Sequence, residues 1–293
     1  MRFDWYQATI EDVPAAVIEA VSSLGHCVSE ADNLAHRYRY DQGFSVHDES
    51  GIVAHVFSGG NGKNPHAFAS GGDTDAFVKL VRSLWPDRHL VTRADAAEDF
   101  HEKGAYDRIL DVSRAVAADC GLQFLSIGDD LNPLAGRTQY VGGSKSDCRA
   151  RLYEKGLEQL QKLSPAGSHV TGFSGHILDE STGEYVDPVD WVRLELQVRP
   201  KSKEARRAMA SVTPQQAWAY TGWTQRLASD AMSLEIERFH YRQKKLSRDE
   251  VRIAWMCKHY GKLLFRRNIA HDGKWAEVWK EVEDVLFRMY QDD

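Results

Sequence analysis

The feature that most constrains the fold is the alternation of charged and apolar residues over positions 149–155. Because successive side chains of a β-strand point to opposite faces, this period of two predicts a strand. One face of that strand carries a tyrosine among three cations, namely Arg149, Arg151, Tyr153 and Lys155. A hydroxyl in such surroundings suits a phosphate-bearing ligand, or a nucleophilic attack on a phosphodiester. An ordinary solvated edge strand explains the same pattern.

The composition is that of a globular protein with an uneven charge distribution. The chain has 293 residues, enough for one large domain or two modest ones. Its formal net charge of -6 argues against a histone-like, non-specific nucleic-acid binder. Cations nevertheless gather over residues 149–155 and 193–207. A DNA enzyme with its cations on one face therefore remains compatible with the composition.

Cysteine usage and hydropathy predict a cytoplasmic protein. No apolar run approaches the roughly 20 residues needed to span a bilayer, and the N-terminus lacks a signal-peptide pattern. The four cysteines are far apart and form no C-x-x-C pair, which indicates neither a zinc knuckle nor a disulfide framework. We therefore expect four thiols in a reducing compartment, and no membrane partner.

Strand and helix signals alternate through the first two hundred residues. Strands are predicted at 4–10, 37–40, 43–47, 51–58, 89–100, 137–142, 149–156 and 191–199. Helices are predicted after a cap near Thr9, from Asp73 to Pro86, and over 106–120. This order predicts an α+β fold with mainly antiparallel sheet. We expect two ferredoxin-like halves, at about 1–100 and 90–200, that share strands.

The composition becomes helical after Pro200. Helices are predicted at 204–209, 214–220, 224–239, 247–264 and 274–290, and Ser247-x-x-Glu250 has the form of a capping box. A loop is predicted at 164–168. The predicted organisation is therefore a catalytic α+β domain over 1–200 and a helical C-terminal region over 201–293.

Two segments repeat one arrangement of an arginine and an acid. Thr92-Arg93-Ala94-Asp95 and Val192-Arg193-Leu194-Glu195 each place both charges on one strand face, opposite an apolar face. Buried charges on a sheet must be paired or must bind an ion. A structural ion pair explains either segment alone. The sharper hypothesis is that Asp95 and Glu195 converge on Mg²⁺ or Mn²⁺, which prefer carboxylate oxygens.

A third carboxylate could join this site from the end of the same strand. If the strand stays regular, Asp99 shares the face of Asp95, whereas Glu98 would need a bulge to do so. A solvated strand end is the alternative interpretation of Asp99.

The predicted turn before the tyrosine strand could contact phosphate. Its sequence is Gly142-Gly143-Ser144-Lys145-Ser146, and small residues let backbone N–H groups and hydroxyls approach an anion. A turn that simply needs glycine explains it equally well, and the spacing of a P-loop is absent. Among the histidines, only His66, near another glycine turn, merits a functional test.

In their order and spacing, these residues resemble the replication initiation factor family of rolling-circle plasmids and filamentous phages, the Rep trans-acting initiators. The matching stretches run through most of the first two hundred residues and are Asp4–Thr9, Thr92–Asp99, Thr138–Ser146, Arg151–Gly156 and Trp191–Leu196. One departure is Lys145, where the plasmid members usually carry arginine. The family also lacks the His-hydrophobe-His signature of related relaxases, as this chain does.

The resemblance implies a single-strand nick at a replication origin. By match with the family's Arg-x-Tyr-x-Lys strand, Tyr153 would join the 5′ phosphate and free a 3′ hydroxyl for a polymerase. Asp95 and Glu195 would hold the divalent metal, with Asp99 as a further candidate. Arg151 and Lys155 would help to ionise the tyrosine, whose ordinary pKa is about 10.

These arguments predict a metal-dependent enzyme that nicks and rejoins DNA, and they leave two alternatives open. The DNA contacts expected for the enzyme come from Ser144, Lys145, Ser146, Arg149, Arg93 and Arg193. The expected partners are single-stranded or hairpin origin DNA, a host helicase and a second copy of the chain. The first alternative is a non-enzymatic single-strand binder that uses the same sheet face. The second is a helical scaffold that acts through residues 201–293.

Overall fold

The computed structural model describes residues 1–129, 131–163, 175–179, 181–238 and 248–289. The chain forms two compact units, Met1–Arg242 and Gln243–Asp293. The loop expected at 164–168 and the capping serine Ser247 lie outside the described residues.

Unit Met1–Arg242 contains all the strands that the structure describes. They are β1 (Arg2–Ile10), β2 (Cys27–Glu30), β3 (Gln42–His47), β4 (Ile52–Ser58), β5 (His66–Ser70), β6 (His89–Phe100), β7 (Phe124–Ile127), β8 (Thr138–Val141), β9 (Cys148–Tyr153), β10 (Ile177–Asp179), β11 (Glu184–Val186) and β12 (Val192–Val198). Strand β6 has the predicted bounds of 89–100.

Eight helices accompany these strands within the described part of the unit. They are α1 (Pro14–Ser22), α2 (Asp32–Arg37), α3 (Thr74–Leu84), α4 (Ala105–Asp119), α5 (Lys155–Lys162), α6 (Lys203–Ala208), α7 (Pro214–Ala217) and α8 (Gly222–Met232). Helices α7 and α8 contribute to the same hydrophobic core as the sheet. The contacts therefore divide the chain near residue 242, whereas the sequence suggests a division at 200.

Ten of the described strands form one sheet, in the order β2-β3-β4-β5-β1-β6-β12-β9-β8-β7. Every described pair in this sheet is antiparallel. The predicted α+β fold with a large antiparallel sheet, helices and a helical C-terminal region is confirmed. Strand β6 follows α3 and precedes α4 in the chain, and it lies between β1 and β12 in the sheet.

The two faces of the sheet differ in chemistry because charged and apolar residues alternate along its central strands. One face packs against α1, α3, α4, α7 and α8. Its fully buried side chains include Phe3, Tyr6, Ile10, Leu152, Leu194 and Leu196. The opposite face, which we call the polar face, carries Trp5, Gln7, Arg93, Asp95, Tyr140, Arg149, Arg151, Tyr153, Arg193, Glu195 and Gln197.

Several predicted elements were wrong, mostly where the strands are short. Residues 37–40 are not a strand, because α2 ends at Arg37 and a turn follows. Thr9 lies inside β1 and caps nothing, since α1 begins at Pro14 with Val13 before it. Strands β2, β5 and β7 had no prediction, and neither did the β10–β11 hairpin.

Unit Gln243–Asp293 is helical in its described part. It contains α9 (Arg248–Ala270) and α10 (Trp275–Met289), close to the predicted helices at 247–264 and 274–290. Nowhere in the described residues is there a helix with the length and hydropathy to span a membrane. All four cysteines are free thiols, as the sequence predicts.

Candidate functional site

The polar face brings most of the predicted site residues together through strand register. Arg193 of β12 pairs with Asp99 of β6 on one side and with Tyr153 of β9 on the other. Two residues further along β12, on the same face, Glu195 lies between Ala97 of β6 and Arg151 of β9. Because neighbouring strands lie about 4.8 Å apart, the register places these charged groups within reach of one another.

Tyr153 ends β9 and lies among cations. Its side chain is only 4% exposed, and the guanidinium of Arg151 lies over the ring, 4.1 Å from the centroid. Burial raises the pKa of Tyr153 above its ordinary value, and the negative charge of Glu195 adds to that effect, while Arg193 and Arg151 oppose it. At neutral pH the phenol therefore keeps its proton unless another positive charge joins the site.

A cavity of about 340 Å³ opens beside Tyr153. Its wall is formed by residues from β8, β9, α5 and the preceding turn: Ala135, Gly136, Arg137, Thr138, Arg151, Tyr153, Glu154, Glu158, Gln161 and Lys162. Tyr153 is thus buried against the protein on one side and adjoins a polar cavity on the other.

Lys155 does not lie on the tyrosine strand, and this part of the prediction was wrong. Strand β9 ends at Tyr153, and Lys155 is the first residue of α5. Its Nζ still lies 5.7 Å from the centre of the Tyr153 ring and pairs with the Glu158 carboxylate at 2.6 Å. Lys155 is therefore a neighbour of the tyrosine, but it reaches it from a helix.

Arginine–carboxylate pairs organise the polar face between β1 and β9. Arg193 is 2% exposed and donates from Nε and Nη2 to the two oxygens of Asp99, at 2.6 and 2.8 Å. Its Nη1 donates to Oδ1 of Asp4 at 2.7 Å. Arg193 therefore holds the sheet together from within. The sequence interpretation of Arg193 as a DNA contact does not fit this enclosed position.

The two predicted metal ligands, Asp95 and Glu195, are both buried, at 1% and 5% exposure. Arg93 donates from Nε to both oxygens of Asp95, at 2.9 and 3.0 Å, and Arg151 donates from Nη2 to Oε2 of Glu195 at 3.0 Å. Glu195 pairs with Ala97, and Asp95 lies two residues before Ala97 on the same face of β6, so the two carboxylates are diagonal neighbours. The first segment thus forms the internal ion pair that the plainer interpretation predicts. In the second segment, Arg193 and Glu195 each pair with a residue of another strand instead.

Both carboxylates have raised pKa values, chiefly because they are buried. Burial raises the pKa of Asp95 even though Arg93 opposes it. Burial also raises the pKa of Glu195, with further contributions from the charges of Asp95 and Asp4, although Arg151 opposes them. Two neighbouring carboxylates with raised pKa values suit a bound cation. Among the described residues, Oε1 of Glu195 has no hydrogen-bond donor, so it is free to be a ligand.

Asp99 lies on the same face as Asp95, as predicted, and two arginines donate to its carboxylate. Besides the two bonds from Arg193, Oδ2 accepts one from Arg2 at 3.1 Å. Burial works to raise its pKa, but the bonds and charge of Arg193 outweigh burial and hold it below its usual range. In the described part of the chain, no three histidine, cysteine, aspartate or glutamate side chains are grouped closely enough to hold a metal.

The turn between β8 and β9 exposes Ser144, Lys145 and Ser146. Gly142 precedes them with a φ of +91°, and a Cβ there would lie 3.0 Å from the carbonyl oxygen of Cys148. The glycine is therefore needed by the turn itself. On the adjoining strand, the guanidinium of Arg149 lies 3.8 Å from the centre of the Tyr140 ring.

Sequence reasoning missed two residues of this face. Asp4, at a register shift of β1, accepts the bond from Arg193, and its place in a stretch that resembles the family was the available signal. Arg199, just beyond β12, is exposed, and its place in the run of cations over 193–207 was the available signal.

His66, in contrast, is a buried structural residue. Its Nε2 lies 2.6 Å from the amide of Gln7, and its ring stacks on Tyr40 at 5.5 Å.

The chain was compared with protein-family models, curated proteins and solved structures. No protein-family model matches the chain, and no curated protein matches it. A solved structure described as a rolling circle replication initiator protein from Geobacillus stearothermophilus aligns with 85% of this chain and 89% of its own, at 18% identity and a TM-score of 0.45.

Proposed function

We propose that the chain initiates rolling-circle DNA replication by nicking one strand at an origin, with Tyr153 as the nucleophile. The observation that carries this proposal is the position of Tyr153 beside a polar cavity and on the same face as Asp95 and Glu195. A nucleophile, flanking cations and two charge-bearing carboxylates are the groups that a tyrosine transesterification needs.

In this reaction the phenolate oxygen of Tyr153 forms a bond to phosphorus, and the bond from phosphorus to the 3′ oxygen breaks. The 3′ oxygen takes a proton and becomes a hydroxyl, while the 5′ phosphate stays joined to the tyrosine. The reverse reaction reseals a strand, because the phosphotyrosine ester retains the energy of the phosphodiester that was broken. A water nucleophile would lose that energy.

The side chains around Tyr153 have separate roles in this proposal. Arg151 lies over the phenol ring and pairs with Glu195, so it orients both groups. Arg193 holds Asp99 and Asp4 and fixes β12 against its neighbours. Lys155 and Arg151 supply positive charge that favours the phenolate.

Asp95 and Glu195 fit a divalent cation, Mg²⁺ or Mn²⁺, because they are adjacent, buried and raised in pKa. When bound, such an ion would polarise a phosphate oxygen and favour ionisation of the tyrosine. Asp99, which was predicted as a third ligand, would instead keep Arg193 in place. Although burial works to raise its pKa, Arg193 and Arg2 hold that pKa below its usual range, whereas the pKa of Asp95 is raised.

The proposed substrate is single-stranded or hairpin origin DNA. Lys145, Ser144 and Ser146 are exposed at the turn beside β9, where they can contact phosphates. A host helicase and a second copy of the chain stay predicted partners, and a bacterial cytoplasm stays the predicted compartment.

One observation favours a second candidate function, a non-enzymatic single-strand binder. Tyr153 is buried and its pKa is raised, which makes it a weak nucleophile without a metal. Both functions predict DNA binding that weakens with salt, because both use cations on the polar face. Only the enzymatic function predicts a covalent link between the protein and DNA.

The deciding experiment incubates the protein with labelled single-stranded DNA from the neighbouring origin and Mn²⁺, followed by a denaturing gel. We expect a labelled protein band for the wild type and none for Tyr153→Phe, which removes only the hydroxyl. Tyr140→Phe is the matched control on the same face and should keep the band. If the band persists in Tyr153→Phe, the nucleophile lies elsewhere. If the wild type binds DNA but gives no band, the binding function is favoured.

A further inference from the structure

Three arginines converge at one end of the polar face, away from Tyr153. Arg93 lies on β6, Arg149 on β9, and Arg199 follows the last residue of β12. Val198 pairs with Ala94, so continuing the register by one residue brings Arg199 opposite Arg93. Gln197 pairs with Arg149 on its other side. The three side chains therefore share one face on three adjacent strands.

The carboxylates nearby do not neutralise this cluster. Arg93 is paired with Asp95, but Arg149 and Arg199 form no ion pair with any of the described residues. The nearest acid on β9, Asp147, pairs with Lys201 at 2.7 Å. Three guanidinium groups and one carboxylate thus leave an excess of two positive charges. Like charges opposite each other on adjacent strands destabilise a sheet unless an anion lies between them.

Two of the three guanidinium groups, and the backbone of the third arginine, are also held in place before any ligand arrives. Asp95 fixes Arg93 from one side, and the Trp5 ring lies 4.3 Å below its guanidinium. Arg149 lies over Tyr140, and its buried Nε has no hydrogen-bond partner in the described structure. The backbone N–H of Arg199 donates to the carbonyl of Asp147 at 2.6 Å, which anchors the end of β12 to β9. Such positioned donors bind an anion at a low cost in side-chain entropy.

We propose that Arg199, Arg149 and Arg93 form a binding site for a backbone phosphodiester of single-stranded DNA, separate from the phosphate that is attacked. Guanidinium groups match phosphate geometry because they present paired N–H donors. Four residues of strand separate Arg149 from Tyr153, which corresponds to roughly 14 Å. This site therefore holds the same strand at a phosphate several bonds from the nick. The inference rests on the proposed function for its substrate, but it depends on a different set of residues.

The first test measures binding without chemistry. In the Tyr153→Phe chain, which cannot form a covalent link, the affinity for a fluorescent oligodeoxythymidylate is followed as salt increases. Adding Arg199→Ala should weaken binding about tenfold and lower the log–log salt slope by about 0.7, the value for one lost phosphate contact. Arg199→Gln should act in the same way. The matched control is Arg114→Ala, an exposed arginine of α4 on the helical side of the sheet, which should change neither quantity.

The second test locates the phosphate. Single phosphates of the origin strand are replaced one at a time by neutral methylphosphonates. At a single position, distant from the nick, the replacement should weaken binding to the chain that has Arg199. At that position it should not weaken binding to the Arg199→Ala chain. If Arg199→Ala binds oligodeoxythymidylate with unchanged affinity and slope, or if both chains respond alike at every position, the site is overturned. Failure of the wild type to form a covalent band would overturn the proposed function, yet the oligodeoxythymidylate test would still decide this site.

Discussion

The guanidinium of Arg151 lies 4.1 Å from the centre of the Tyr153 ring and donates to Oε2 of Glu195 at 3.0 Å. One arginine thus links the candidate nucleophile to a candidate metal ligand across β9 and β12. Because all three groups are largely buried, a change in charge at one of them alters the others.

A first prediction separates the metal ligands from the structural carboxylates. Glu195→Gln and Asp95→Asn should each weaken Mn²⁺ binding at least tenfold, because they remove a charge from the proposed site. Asp99→Asn should leave the affinity unchanged, because Arg193 and Arg2 already compensate the charge of Asp99 and hold its pKa below its usual range despite burial. Titration calorimetry on the folded variants measures this. If the wild type, Glu195→Gln and Asp95→Asn all bind Mn²⁺ with equal affinity, Asp95 and Glu195 form structural ion pairs and do not bind a metal.

A second prediction concerns the buried pair of Asp99 and Arg193. Asp99→Asn should reduce the free energy of unfolding at pH 7 by about 3 kcal/mol, because it leaves a buried guanidinium undercompensated. The pKa of Asp99 is lowered in the folded protein, so its contribution is present above the unfolded pKa and is lost as the pH falls through the folded pKa. The difference between variant and wild type should therefore shrink in acid.

Denaturant unfolding of both chains from pH 7 to pH 2 measures the effect of Asp99→Asn, and the difference should begin to shrink below about pH 4, the ordinary pKa of an aspartate. The control is Asp111→Asn, which breaks an exposed pair with Arg114 and should cost less than about 1 kcal/mol. A difference that grows in acid would contradict the assigned direction of the pKa shift.

A third prediction follows from burial of His66, which lowers its pKa from 6.5 to about 4. Between pH 6.5 and about pH 4, His66 is protonated in the unfolded chain but neutral in the folded chain. Stability contributed by neutral His66 is therefore complete above pH 6.5 and is lost as the pH falls, by about 3 kcal/mol over this range. His66→Gln should flatten the curve of stability against pH between these values, whereas replacing the exposed His36 should not.

A fourth prediction concerns the chain just after Tyr153. A Cβ at Gly156 would lie 2.3 Å from the carbonyl oxygen of Pro188, which is a clash with rigid backbone. Gly156→Ala should therefore destabilise the fold by about 2 kcal/mol or more and displace the start of α5. Gly72→Ala is the matched control, because nothing lies within 4 Å of its added Cβ. Thermal unfolding of both variants checks this, and equal melting temperatures would contradict the clash.

The alternation of residues along the long strands was sufficient to predict several features of the site. Strand β6 has its predicted bounds of 89–100, and Asp99 shares the face of Asp95 while Glu98 points away and pairs with the N-terminal amine. These features follow from the period of two, which is a local property of the backbone. The α+β class was predictable for the same reason.

Tertiary structure decided which charges meet. Arg193 pairs with Asp99 and Asp4 rather than with Glu195, two residues away on its own strand, because register and a shift in β1 bring those carboxylates to it. Strands β2, β5 and β7 are short and have little alternation of their own, so only their neighbours in the sheet define them. Lys155 belongs to a helix because β9 ends at Tyr153, where the chain turns away from the sheet. The sequence alone therefore determined which residue types share a strand face, because alternation is local, whereas the long-range pairing of strands determined their partners.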